Sequence, residues 1–455
     1  MTRFSPGDLS IELPAVVDGE VRAAVERASG AFVGWRETTL AEREGCLKRA
    51  QERLAGKKEA LAHGIALETG KPITEALGEI GAVVVKIDLA IADARRYLAE
   101  QSEVDCANPN IIRRRPRGVA GVIGPFNFPV HLAHGAITAY LLAGNTVIFK
   151  PSPLAAGVCG VYGELMRESF PEGVFEIVQG GASVGQALVS HPAVRSVCFT
   201  GSFAAGRAIA KATAEDLSKD VALELGGKNA AIVLADADLE LAAQSVAEAM
   251  CLTSGQRCNS TSRVLVDQRV ESTFIDLLRA KLGAFVPGDP LLATTKLGPV
   301  VSDIAKQRYV ETIGQPLDWI VAGGALESVA GKRGHYVLPA VARAPLRVAA
   351  NLPIFRDEVF APVVVVVATT SDEEAIGLAN ATDYGLTTSV FTPDRDRFLA
   401  MVDRLEAGNV YQNLPTTFSP GTLPFGGWKN SGNGRPGGRG FVRFATDEQV
   451  VQMKK

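Results

Sequence analysis

The feature that most constrains this chain is an alternation that begins near residue 111. IIRRRPRGVAGVIGP alternates apolar with basic residues and then turns wholly apolar, as an extended element leading into a buried strand does. Helix-like LAHGAITAYLLAG follows, then strand-like NTVIFKPS, helix-like AAGVCGVYGELMRE, strand-like VFEIVQG, helix-like ASVGQALVS and strand-like SVCFTGS. FAAGRAIAKATAEDL and VALELGG add one more helix and strand. Strands that alternate with helices in this way predict a parallel sheet covered on both faces. A second α/β block starts near residue 227, with strand candidates AAIVL, RVLVD, HYVLPA, PVVVVVATT, LTTSVFT and NVYQNL. Such sheets bind ligands beyond the carboxyl ends of their strands, which directs attention to the segments following each strand.

Upstream, residues 17–59 and 74–102 carry apolar and alanine positions at helical spacing, interrupted by TGKP at 69–72. At 455 residues the chain is long enough for two or three domains with sizeable cores. The 47% hydrophobic content excludes a disordered chain, and a formal net charge of −3 speaks against a nucleic-acid partner despite the run Arg113, Arg114, Arg115. Six scattered cysteines without a CxxC pair, and only five histidines, argue against a disulfide framework or a metal site. No apolar run reaches the ~20 residues a membrane span requires. MTRFSPGDLSIELP lacks the basic-then-apolar pattern of a signal segment, so a cytoplasmic location is the expectation.

SGQRCNSTSR, residues 254–263, sets Cys258 among small polar neighbours. Taken alone it fits a reactive thiol or an inert buried one. Its context is more specific. ETGKP at 68, GPFNFP at 124, GNTVIFKPS at 144, FTGS at 199, ELGGKN at 224, GQRC at 255, DEVFAP at 357 and PFGGWKNSG at 424 follow one another along the chain. In this order they resemble the aldehyde dehydrogenase superfamily, from about Glu68 to the C-terminus. ETGKPITEA followed by VVKID, RRRPRGVAGVIGPFNFPVHLAHG and the late SGNGRP are most similar to its N-succinylglutamate 5-semialdehyde dehydrogenases, enzymes of arginine catabolism.

The resemblance implies an aldehyde dehydrogenase-like α/β fold: two Rossmann-like domains with a small β oligomerisation arm. Residues 1–103 and 122–226 would form the dinucleotide-binding domain, 227–412 the catalytic domain, and 104–121 with 440–455 the arm. Residues 413–439 would form the substrate and active-site loop region. The implied reaction is NAD(P)-dependent oxidation of an aldehyde to a carboxylate through a cysteine thiohemiacetal and a thioester. N-succinyl-L-glutamate 5-semialdehyde is the implied substrate, and glutamate or succinate semialdehyde fits the same catalytic groups. Cys258 takes the place of the nucleophile, Glu224 of the general base and Asn127 of the oxyanion donor.

No GxGxxG follows a first strand, so the ordinary dinucleotide fingerprint is absent. The resemblance instead assigns the diphosphate to Ser202 at a helix start, flanked by Gly201 and Gly206, and the adenosine ribose to Lys150. Glu358 and Phe360 match the nicotinamide-ribose carboxylate and a nearby aromatic, although Phe360 equally suits core packing. Where NAD-preferring relatives often carry a glutamate three residues after the lysine, this chain has Pro153. NAD is therefore the first expectation, with NADP kept open because no carboxylate there repels a 2′-phosphate.

At the substrate end, Phe126, Arg257, Thr416, Ser419, Gly421 and Thr422 are candidates to contact a small carboxylated aldehyde, though ordinary loop polarity explains the same residues. The arm implies a homodimer or a dimer of dimers. Rival readings are a CoA-acylating or phosphorylating relative, or a non-enzymatic member of the superfamily. Glu224 within ELGGKN favours hydrolysis.

Overall fold

Runs of buried valine, isoleucine and alanine build the middle of two sheets in a computed structural model that describes residues 3–103 and 110–453. In the first sheet, β1 (Val119–Ile123), β2 (Thr146–Lys150), β3 (Phe175–Ile177), β4 (Val194–Thr200) and β5 (Asp220–Glu224) are all parallel. Their order across the sheet is β5-β4-β1-β2-β3, and Gly432–Asn433 adds an antiparallel edge beside β5. The chain runs β1 to β3 in one direction and then returns to β4 and β5 on the other side of β1. That reversal leaves a crevice between the carboxyl ends of β1 and β4, where doubly wound sheets bind their ligands.

The second sheet contains β6 (Asn229–Val233), β7 (Thr261–Asp267), β8 (Asp318–Val329), β9 (Lys332–Arg343), β10 (Val363–Thr369), β11 (Thr387–Phe391) and β12 (Asn409–Gln412). Its order is β8-β9-β10-β7-β6-β11-β12, parallel except for the β8–β9 hairpin. All six strand candidates of the second block are present. β8 escapes a sequence reading because Gly323 and Gly324 interrupt it and its residues are mostly half-buried or exposed.

Upstream, residues 17–59 do not form one long helix. Helices Val21–Glu37 and Leu40–Gly56 are separated by a capping box at Thr39 and Glu42, and Lys58–Thr69 follows. The next run is a single helix, α1 (Ile73–Tyr97), despite Gly78 and Gly81. Three further helices position the site: α2 (His131–Leu142), α3 (Phe203–Thr213) and α4 (Asp303–Ile313).

A small sheet pairs Thr446–Gln452 with Asn110–Pro116, and that strand with Gln101–Glu103. Arg113, Arg114 and Arg115 lie opposite Gln449, Glu448 and Asp447, and Arg114 is 2.6 Å from Glu448. The arginine run is thus part of this sheet, with Arg114 and Arg115 opposite acidic residues. β1 begins at Val119, inside the range first assigned to the arm, so the arm sheet ends at Pro116. Residues 104–109 of that range, including Cys106, lie outside the described residues.

Candidate active site

The four strands β1, β2, β4 and β5 end on one cavity of about 350 Å³. β1 runs into Gly124, Pro125, Phe126 and Asn127. β2 ends at Lys150, β4 leads to Gly201 and Ser202, and β5 ends at Glu224. Cys258, Glu358 and Phe360 close it from the second sheet's side. Phe126 and Phe360 meet edge to face at 5.9 Å, and Phe360 holds a left-handed φ of 59°.

Two glycines bring the halves together. A Cβ on Gly227 would lie 2.2 Å from the Cys258 carbonyl oxygen, and one on Gly226 would lie 2.4 Å from a Glu358 oxygen. Only glycine permits both approaches. The Gly227 N–H donates to Glu358 Oε1 at 3.0 Å, and Asn229 Nδ2 donates to the Cys258 and Ser260 carbonyls at 2.8 Å each. ELGGKN therefore fixes the backbone at Cys258 besides placing Glu224.

Cys258 is half-buried. Burial pushes its thiol well above the ordinary range, the Glu224 and Glu358 charges add to this, and the Asn259 N–H and Arg257 oppose it. Glu224 is 2% exposed, and neither carboxyl oxygen has a hydrogen-bond partner among the described residues. Burial raises its pKa to about 8, against the pull of Arg435. Glu358 is raised to about 7, again by burial. Asn127 is buried, and its Nδ2 donates to the Gln256 carbonyl at 2.8 Å, two residues before Cys258. An amide has two N–H donors, so one remains.

On the wall formed by β2 and β4, burial lowers the Lys150 pKa to about 8, and its Nζ donates to the Pro151 carbonyl at 3.0 Å. Ser202 caps α3, accepting from Ala205 N at 3.4 Å. Pro153 lines the same cavity. Gly206 does not reach it. A Cβ there would sit 2.5 Å from Leu225, so that glycine serves helix-to-strand packing rather than ligand approach.

The expected substrate residues are not gathered in this way. Arg257, expected to face substrate, is paired instead with Glu75 of α1 at 2.6 Å, and its Nε donates to Thr253 Oγ1 at 3.0 Å. Glu75 also accepts from the Thr253 N–H and hydroxyl. Thr253, Ser254 and Gly255 all hold left-handed φ, at 51°, 56° and 71°. Such a conformation costs roughly 1 kcal/mol or more at each non-glycine position. Glu75 ties both ends of that turn. Lys71 and Arg257 both lie over the Phe128 ring, beside Asn127. Lys71 also pairs with buried Glu79, which accepts from the Val130 and His131 N–H groups at 3.1 Å each. Thr416 is fully buried, its hydroxyl donating to the Asn259 carbonyl and 2.8 Å from Thr261 Oγ1. Ser419 and Thr422 are exposed, and Gly421 rests against Leu89 of α1.

Sequence reasoning missed Arg308 of α4, which lines the cavity and faces Glu358. It belongs to no recognisable motif. Gln256 was within GQRC but unassigned. Its Oε1 accepts from Val301 N at 3.0 Å and its carbonyl holds Asn127.

The aldehyde dehydrogenase family profile matches residues 5–451. The chain belongs to the aldehyde dehydrogenase family. It is similar to N-succinylglutamate 5-semialdehyde dehydrogenase 1 of Caulobacter vibrioides, with 35% identity over 91% of this chain and 88% of that protein. Betaine aldehyde dehydrogenase of Rhizobium leguminosarum is 33% identical over 98% of this chain and 92% of its own length. Among solved structures, an NAD-dependent aldehyde dehydrogenase from Sinorhizobium meliloti superposes with a TM-score of 0.93 at 31% identity, covering 100% of this chain and 91% of that one. This aldehyde dehydrogenase thus has the two-domain α/β fold with a β arm, and its activity is NAD(P)-dependent aldehyde oxidation. No helix among the described residues is long and apolar enough to cross a membrane, and no cluster of metal-ligating side chains occurs among them.

Proposed function

We propose that the enzyme oxidises N-succinyl-L-glutamate 5-semialdehyde to N-succinyl-L-glutamate, with Cys258 as nucleophile, Glu224 as general base and Asn127 as oxyanion donor. The observation that carries the catalytic assignment is the single cavity shared by these three side chains and the strand ends of the first sheet. The substrate assignment draws on the motifs ETGKPITEA, VVKID and NFPVHLAHG and on the similarity to the Caulobacter vibrioides protein.

The cavity suits a dinucleotide. Ser202 and the free N–H groups at the start of α3 offer a diphosphate site, Lys150 a donor for the adenosine ribose, and Glu358 an acceptor for the second ribose. Pro153 stands where a ribose-binding glutamate could sit, and Asp18 is the acidic group that acts on Lys150, so both NAD and NADP belong in the assay. When bound, the dinucleotide supplies the hydride acceptor.

The Glu224 carboxylate takes the Cys258 Sγ proton and passes it to solvent, and the sulfur bonds to the aldehyde carbon. The aldehyde oxygen takes the negative charge and accepts from the free Asn127 N–H and the Cys258 backbone N–H. The oxyanion re-forms its carbonyl as the aldehydic hydrogen leaves as hydride, and Cys258 carries a thioester. Glu224 then takes a proton from water, the water oxygen attacks the thioester carbon, and the C–S bond breaks to release the carboxylate and the Cys258 sulfur. A carboxyl buried without partners holds its proton up to about pH 8, which suits a base that must give and take protons near neutrality. The arm sheet would join two such chains into a homodimer or a dimer of dimers, with the cytoplasm as the site of action.

Incubating the purified enzyme with N-succinylglutamate, glutamate and succinate semialdehydes, each with NAD and NADP, tests this reading. Reduction of dinucleotide with kcat/KM highest for the N-succinylated substrate is expected. A higher value for succinate or glutamate semialdehyde would remove the substrate assignment and leave the chemistry in place.

A further inference from the structure

Lys71 and Glu79 pair with each other beside the site, and neither side chain has any exposed surface. A pair so buried is a poor source of stability, because withdrawing both charges from water costs about as much as their attraction returns. What the pair reaches is more specific. Glu79 Oε1 accepts from the Val130 and His131 N–H groups at 3.1 Å each, at the start of α2. Val130, the residue at which α2 begins, has no polar side chain to cap those N–H groups, so a carboxylate from α1 does so. Asn127, Phe128 and Pro129 lead directly into this fastened point.

Glu75 stands one turn earlier on the same face of α1, ~6 Å away along the axis. It fastens the other segment, through Thr253 and Arg257 ahead of Cys258. Two stretches far apart in sequence are thus tied to one helix. Phe128 lies between them, its ring centroid 3.7 Å from Lys71 Nζ and 4.9 Å from Arg257 Cζ. The face of the ring attracts both cations, and each cation has its own carboxylate, Glu79 for Lys71 and Glu75 for Arg257. Burial lowers the Lys71 pKa, and Glu79 is the main charge that opposes this. The TGKP turn is seated on the same support. A Cβ on Gly298 would collide with the Gly70 carbonyl oxygen, and the Gly298 carbonyl accepts from Ser254 Oγ at 2.8 Å.

We propose that Lys71 and Glu79 are positioning residues for oxyanion stabilisation, fixing the Asn127 amide against the Cys258 N–H from the α1 side. This rests on the roles of Asn127 and Cys258 proposed above. Oxyanion donors are effective when they already stand at hydrogen-bond distance from the oxygen as its charge develops. The Asn127 side chain is held by one hydrogen bond, to the Gln256 carbonyl. Its backbone is held through Phe128 and Val130, which meet Lys71 and Glu79. A misplacement of about 1 Å at such a group can cost ~10²-fold in rate. Neither Lys71 nor Glu79 lines the cavity, so both act through Asn127 and not on the aldehyde.

The test is a double-mutant cycle against Asn127→Ala, read as the single-turnover rate of dinucleotide reduction. The aldehyde is whichever of N-succinylglutamate, glutamate and succinate semialdehydes the wild type oxidises fastest. Lys71→Met combined with Glu79→Gln removes both buried charges together and keeps an amide oxygen for the Val130 and His131 N–H groups. The combination should slow reduction about tenfold, with dinucleotide Kd within about twofold of wild type. In the Asn127→Ala background it should slow reduction by less than about twofold, since the donor it positions is gone. Phe128→Leu leaves both ion pairs in place and should follow the same pattern with a smaller loss. It serves as the test if the doubly substituted chain does not fold. Equal losses in both backgrounds, or no loss in either, overturn the proposal. If the losses are equal and Asn127→Ala alone is slow, the oxyanion assignment stands and only the positioning role falls. An unchanged rate in Asn127→Ala alone removes the oxyanion assignment, and the positioning role with it.

Discussion

At the dinucleotide end of the site, the lining residues come from the carboxyl ends of four adjacent strands. The candidates for the aldehyde end, Arg257 before Cys258 and Thr416 in the late loop, instead turn to partners far away in sequence. Lys150, Ser202 and Glu224 each sit at or just past a strand terminus, where the sheet order dictates their meeting. Nothing comparable dictates where Arg257 or Thr416 points. Arg257 turns to Glu75, and Thr416 to the Asn259 carbonyl. The cofactor end is thus a property of topology, and the aldehyde end a property of side-chain pairing.

This contrast can be broken at graded positions. Cys258→Ala should lower aldehyde turnover by roughly 10⁴-fold or more while dinucleotide Kd stays within about twofold. A variant that still turns over would move the nucleophile elsewhere. Asn127→Ala removes an oxyanion donor and should cost about 10²- to 10³-fold in kcat with little change in KM, measured by steady-state kinetics. Glu75→Gln weakens the clamp on the left-handed turn before Cys258. It should slow kcat by about tenfold for charged and uncharged aldehydes alike, whereas an Arg257 that bound substrate would show a KM effect confined to carboxylated ones. Thr416→Val should lower stability by about 1 kcal/mol in denaturant titration and leave kcat/KM nearly unchanged, because its hydroxyl serves Asn259 and Thr261.

The same contrast explains what was legible in the sequence. The strand-helix alternation announced the first sheet and every parallel strand of the second. GPFN, FTGS, ELGGKN and GQRC named the residues that the cavity collects. β8 was hidden by its paired glycines, and Gly206 was given a ligand role when its neighbour is Leu225. Arg308 and Glu75 were illegible as site residues for a shared reason. Each is an ordinary charged residue within a helical run, and only the packing of that helix decides what its head meets.

The most direct test of the catalytic site is a pre-steady-state trace of dinucleotide reduction in Glu224→Gln, taken across a pH series. In the wild type, steady turnover should rise with pH through about 8 as the buried Glu224 carboxyl loses its proton and becomes able to activate water. In Glu224→Gln, the first turnover should still release a burst of reduced dinucleotide, steady turnover should drop by roughly 10²-fold or more, and the rise through pH 8 should disappear. A variant with no burst, an unchanged steady rate and the same pH dependence would contradict the assignment of Glu224 as the base that frees Cys258 from its thioester.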